Sequence, residues 1–126
     1  LNRNCWGVLS MVAGTEPYAV PIIYGYDGAQ FVFANGPGGK VEVLRSNPEV
    51  CLVVAEVEGS GQTWRSVVVR GRIEWVEGTV ERLAAFNLLR KQIPFTAQRV
   101  SDASKIATAP VARIIPVEIT GRMPGN

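Results

Sequence analysis

The stretch Phe31–Pro48, FVFANGPGGKVEVLRSNP, decides how the chain is read. Phe31 and Phe33 alternate as strand residues do, Gly36, Gly38 and Gly39 make a flexible turn, and Lys40 opens a short helical pattern that Asn47-Pro48 closes. A strand, a glycine turn and a lysine at a helix start are the parts of a phosphate cradle. Glycine N–H groups converge on an anion with no Cβ in the way, and the first-turn N–H groups of a helix add partial positive charge. The same order also serves as a plain strand-to-helix connection, and the stretch by itself leaves both readings open. It is not a nucleotide P-loop. Ala34 stands where that motif has its first glycine, and Val41 where a Ser or Thr would hold Mg²⁺.

Upstream, Tyr18–Tyr26 (YAVPIIYGY) alternates, with Tyr18, Val20, Ile22, Tyr24 and Tyr26 on one face. Pro21 cannot donate to a ladder, which predicts an edge or a bulge there. Asp27-Gly28 marks a hairpin into the Phe31 strand, and Cys5–Ala13 is a further strand bounded by Gly14-Thr15. Downstream, Val50–Val57 (VCLVVAEV) is a near-continuous apolar run, read as a strand buried on both faces for much of its length. Trp64–Val76 is the longest strand, with Val67, Val69, Ile73 and Trp75 on one face and Gly71 marking a barrel-type bend. Thr79–Ile93 is the clearest helix: Thr79 is read as its N-cap, Glu81 complements the dipole, Val80, Leu83, Phe86 or Asn87, and Leu89-Arg90 recur at near-helical spacing as a packing stripe, and Pro94 stops it. Residues 94–110 suit a loop or a short helix over Ala97–Ile106, and Val111–Thr120 is the last strand. The sum is a mostly β chain: one domain over residues 1–126, a six-stranded antiparallel barrel with two or three short helices.

Composition narrows function by exclusion. Thirteen basic against eleven acidic residues give a net charge of +2 with no long basic run, so no nucleic-acid partner is expected. No apolar run approaches the roughly 20 residues that span a bilayer, and LNRNCWG lacks a secretion-signal pattern; the expectation is a cytoplasmic protein with no membrane partner. The chain has no His, which excludes His-based triads, removes the commonest zinc and haem ligand, and leaves no expected metal site. Cys5 and Cys51 each lie in a strand-like run and are read as buried free thiols, an inter-strand disulfide being the alternative. Glu56 and Glu58 share a strand face but have no acid/base partner, and read as a solvated strand end.

The ordered segments VPIIYGYDG, FVFANGPGGK, LRSNPEVCLVV and WRSVVVRGRIEWVEG, followed by RIIPVEITG, resemble the split-barrel flavin-binding family related to pyridoxamine 5′-phosphate oxidase. The likeness is greatest to its nitroimidazole-resistance flavoproteins. This resemblance implies an FMN-binding split barrel and a homodimer holding two FMN molecules in grooves between subunits. It implies that Ala19, Val20, Pro21 and Ile22 edge the flavin ring through backbone atoms and that Ala34 and Asn35 lie on the phosphate side. Lys40 then stands as the phosphate lysine, and Arg65 and Ser66 form the segment that reaches the flavin. Two departures bear on chemistry: Ala34 replaces the His of nitroimidazole-resistance members, and Gly39 replaces an Arg of the vitamin-oxidising branch. The implied activity is FMN-dependent electron or hydride transfer to a small acceptor such as a nitro compound or quinone. The alternatives are a non-catalytic flavin-binding or dimeric interaction protein, or a deazaflavin-binding relative.

Overall fold

The computed structural model of the chain describes residues 6–34, 40–59, 63–92 and 110–123. The strands are β1 (Trp6–Ala13), β2 (Glu16–Ile23), β3 (Gly25–Tyr26), β4 (Phe31–Ala34), β5 (Glu49–Glu58), β6 (Thr63–Val76) and β7 (Val111–Arg122); the helices are α1 (Lys40–Ser46) and α2 (Thr79–Gln92). They form one antiparallel sheet in the order β2-β1-β5-β6-β7-β4-β3. It is the expected mostly β split barrel, with seven strands instead of six. The difference lies at Tyr24, where the predicted Tyr18–Tyr26 strand is cut in two.

That cut closes the barrel. β2 and β3 lie at opposite ends of the sheet order, yet Tyr24 alone separates them in the chain. Consecutive Cα atoms are 3.8 Å apart, so Ile23 and Gly25 are separated by at most about 7 Å. The two sheet edges therefore meet here. Tyr24 is fully buried, packs edge-on against Phe31 at 5.6 Å, and Tyr26 stacks on the same ring at 4.4 Å.

The barrel interior is filled by alternate residues of the strands, among them Leu9, Met11, Ile22, Phe31, Phe33, Leu52, Val54, Val69 and Ile114, with Leu44 of α1. A second cluster lies on the other face of the sheet, where Ala85 and Leu89 of α2 cover Val32, Val76 and Val111. α2 packs through Ala85, Phe86, Leu88 and Leu89, while Val80 and Leu83 of the expected stripe are exposed. Close approach explains the rotation: the backbone and side chain of Leu88 lie so near Gly25 that a Cβ there would meet them at 2.8–3.1 Å. The N-cap also moves by one residue. The Gly78 carbonyl accepts the first helical bond from Arg82 N–H at 2.8 Å, and the Glu81 carboxylate folds back over Gly78.

Pro21 lies on the terminal strand β2 opposite Val8, as its missing donor requires. β5 is not buried on both faces. Val50, Leu52 and Val54 enter the core, whereas Cys51 and Val53 are half-buried and Val57 is exposed on the other side. Cys51 is thus a half-buried free thiol, and Cys5 lies outside the described residues. Gly71 marks the expected bend as a bulge: Arg70 pairs with Glu118 and Gly71 with Pro116, leaving Val117 without an opposite residue.

A Cβ at Gly71 would meet the Ile115 carbonyl oxygen at 2.5 Å and the Ile114 side chain at 2.8 Å. Gly71→Ala is expected to destabilise the fold by about 2 kcal/mol, because backbone must move; urea unfolding at an unchanged m-value checks this. The β3–β4 hairpin is held by Asp27, whose Oδ1 accepts from Ala29 N–H and Gln30 N–H, both at 2.8 Å, with positive φ at Gly28. Partial burial pushes the Asp27 carboxyl up, but the Gln30 and Ala29 donors together outweigh it and hold its pKa below the ordinary 3.8. A depressed folded pKa stabilises the protein above 3.8, and that contribution fades as pH falls through the lower folded value. Asp27→Ala should therefore cost about 1 kcal/mol at neutral pH, and the gap from the parent should narrow in acid, read from melts across pH.

Candidate functional site

The candidate residues fall into two groups within one chain. Ala19, Val20, Pro21 and Ile22 form the second half of β2, where Val20 and Ile22 turn inward and Ala19 and Pro21 outward. As β2 is terminal, its outer backbone groups have no ladder partner among the described residues. β4 contacts β2 across the seam, and half-buried Ala34 ends it, paired with Val111. Asn35 lies outside the described residues, and Lys40 is the first residue of α1. α1 is anchored by buried Leu44 and half-buried Val43, and packs beside β1. The closure at Tyr24 is what sets the β2 edge beside the strand that leads into the glycine turn.

Arg65 and Ser66 are elsewhere. They sit at the start of β6, three strands from β2 in the order β2-β1-β5-β6, a lateral distance of about 14 Å at normal strand spacing. Arg65 is exposed and lies opposite Glu56, Nε to Oε2 3.9 Å; Ser66 is half-buried between Ala55 and Arg122. One chain does not bring this pair to the β2–β4–α1 group. Glu56 is thereby engaged with Arg65.

Sequence reasoning passed over a second feature. Arg45, in the last turn of α1, stacks over the Trp75 ring at 4.7 Å, and Arg82 of α2 stacks over Phe86 at 5.5 Å. Both guanidinium groups line one cleft of about 360 Å³. Arg45 lies in the LRSNPEVCLVV segment without a role there, Arg82 lies in none of the quoted segments, and their separation along the chain hides that they line one cleft. Among the described residues no cluster of three or more Cys, Asp or Glu side chains could hold a metal ion, and no helix is long and apolar enough to cross a membrane.

Residues 1–123 match the family model described as pyridoxamine 5′-phosphate oxidase. The chain belongs to that family. An uncharacterized protein of Rhizobium meliloti is 41% identical over 103 residues, 72% of this chain and 68% of its own. The fold matches the crystal structure of an FAD-binding protein from Mesorhizobium loti, 30% identical, with a TM-score of 0.79 over 98% of this chain and 89% of that one. It also matches a structure from Bacteroides thetaiotaomicron assigned to 5-nitroimidazole antibiotic resistance, with a TM-score of 0.79 at 19% identity over 96% of this chain and 78% of the other. The family relation expected from the four ordered segments is borne out.

With an exposed guanidinium and a 3.9 Å pair, Arg65 adds little to folding. Arg65→Ala is expected to leave unfolding free energy within about 0.5 kcal/mol of the parent, as measured by chemical denaturation.

Proposed function

We propose that the chain is a homodimeric flavoprotein that binds FMN along the β2 edge and passes electrons to a small acceptor, a nitro compound or quinone. The observation that carries this reading is the closure at Tyr24, which sets an unpaired backbone edge on β2 beside the end of β4. A flavin ring presents both donors and acceptors along one side, and a strand edge offers the complementary set. Pro21 has no N–H to give on the outer side, and the N–H groups of Val20 and Ile22 on either side of it turn toward β1, so on this reading the donor to the ring is Ala19 and the carbonyls of Ala19 and Pro21 accept. Lys40 opens α1 and is the cation assigned to the FMN phosphate, acting as a point charge. With glycine at position 39, no guanidinium beside it adds a bidentate contact.

The flavin supplies the redox chemistry when bound, and the protein binds, orients and shields it. No side-chain nucleophile is needed. The half-buried Val20 and buried Ile22 give the edge an apolar backing that limits water beside the ring.

The dimer reading rests on the outer sheet face. Trp6 and Val12 of β1, Val57 of β5 and Val117 of β7 are all exposed there, alongside half-buried Val8, Val53 and Val68. Register sets Val8, Val53 and Val68 side by side in one row, and an exposed apolar row of this kind supports an interface. A second copy seated on it would also supply Arg65 and Ser66 to the flavin groove, from which they lie three strands away within one chain.

A second reading, a flavin-binding protein without turnover, has one specific observation in its favour. Ala34 occupies the position of a family His, and no His exists anywhere in the chain to donate a proton.

Flavin content and turnover separate these readings. Purified protein should be yellow, or bind added FMN, and its flavin should bleach with a reduced nicotinamide and reoxidise with a nitroaromatic or quinone. Bound flavin that is never reoxidised by either acceptor selects the second reading, and colourless protein that takes up no FMN removes both. Lys40→Ala is expected to weaken FMN binding about tenfold or more, read by flavin fluorescence titration. An unchanged affinity would remove Lys40 from the phosphate site.

A further inference from the structure

Among the described residues, arginine stands directly opposite glutamate at four places in the sheet: Arg65 with Glu56, Arg72 with Glu49, Arg113 with Glu74, and Arg70 with Glu118. The first three close into ion pairs at 3.9, 3.3 and 2.8 Å. The fourth does not. Among the described residues neither the Arg70 nor the Glu118 side chain has an ion-pair or hydrogen-bond partner. The Gly71 bulge falls at this point, with Val117 as its extra residue, and a bulge re-aims the side chains next to it.

Both open groups line one cleft of about 350 Å³ on the outer sheet face. Ser10, Cys51, Arg70 and Glu118 follow one another across β1, β5, β6 and β7 as a single row of opposed residues. Val12, Pro17 and Val117 give the cleft apolar walls. Glu49 also borders it, but its carboxylate is taken by Arg72. A ligand that satisfies this lining carries an anion for Arg70, a cation for Glu118 and an apolar remainder. Directly opposed residues of an antiparallel ladder have Cα atoms about 4.5–5.5 Å apart, so a molecule whose two charges are close neighbours reaches both. An α-amino acid holds its carboxylate, its ammonium and its side chain on one carbon. Its carboxylate matches the N–H fork of a guanidinium, and its ammonium donates to a carboxylate. The volume lies within the range of about 300–1,000 Å³ usual for small-molecule sites.

We propose that this cleft binds an α-amino acid with an apolar side chain, its carboxylate on Arg70 and its ammonium on Glu118. The site uses no residue assigned to the flavin and does not depend on the flavin reading. Val12 and Val117 also lie on the face assigned above to a second copy, which is the competing occupant. A two-fold contact centred on the cleft sets the hollow against its own image and leaves the space unfilled, which favours the small ligand.

Calorimetric titrations of the parent, Arg70→Gln and Glu118→Gln with L-leucine, with isocaproate, which lacks the ammonium, and with isoamylamine, which lacks the carboxylate, test it. Circular dichroism confirms that each variant is folded. Leucine is expected to bind the parent about tenfold or more tighter than either fragment. Arg70→Gln should lose about tenfold for leucine and isocaproate and less than about twofold for isoamylamine. Glu118→Gln should show the opposite fragment pattern, with the loss falling on leucine and isoamylamine. The proposal is overturned if millimolar leucine gives no saturable binding to the parent, or if both variants bind leucine as the parent does. Sedimentation of the same proteins tests the competing occupant: variants that lower the sedimenting mass, with a parent that binds no leucine, assign the open pair to a second copy and overturn the proposal.

Discussion

The one-residue crossing at Tyr24 is the constraint on which the molecule depends. β2 ends and β3 begins at opposite ends of a seven-stranded order, yet a single buried tyrosine joins them. Covalent geometry leaves the sheet no option but to curl until its edges meet. The curl needs room on the inside and a change of direction on the longest strand. Buried Phe31, Phe33 and Leu52 fill the first, and the Gly71 bulge provides the second.

The same crossing leaves the outer side of β2, the edge of the proposed flavin site, beside β4. β2 pairs with β1 along its whole length and has no ladder partner on its outer side among the described residues. Sheet edges are usually protected against pairing with another strand. Here Pro21 interrupts the donor row in the middle of that edge, which makes it a poor template for a further strand.

Much of this was legible from residue patterns because it rests on local chemistry. Asp27-Gly28 gave the hairpin, Pro21 the edge, Gly71 the bend, and Lys40 through Ser46 the short helix, each through a backbone preference that the residue carries wherever it occurs. What escaped depends on partners distant in the chain. Tyr24 continues a perfect alternation, and only the need to pair with both β1 and β4 splits that strand. The face of α2 was set by contact of Leu88 with Gly25 and not by the helix's own weak apolar stripe. β5 has a continuous apolar sequence, but the barrel interior accepts one side of it and leaves Val53 and Val57 outside. The candidate site divides in the same way: the positions of the β2 strand and the start of α1 were legible from local patterns, whereas the stacking of Arg45 on Trp75 was not.

Exposed apolar strands on the outer face, the separation of Arg65 and Ser66 from the β2 edge, and the unpaired edge itself are joined by one claim, that a flavin lies in a groove completed by a second copy of the chain. Sedimentation equilibrium followed through the flavin's visible absorbance tests it most directly. The account predicts that the flavin signal sediments with a species of twice the chain's 13.6 kDa and at a stoichiometry of one flavin per chain. Flavin bound to a species of one chain mass, or a dimer that carries none after saturation, would contradict it.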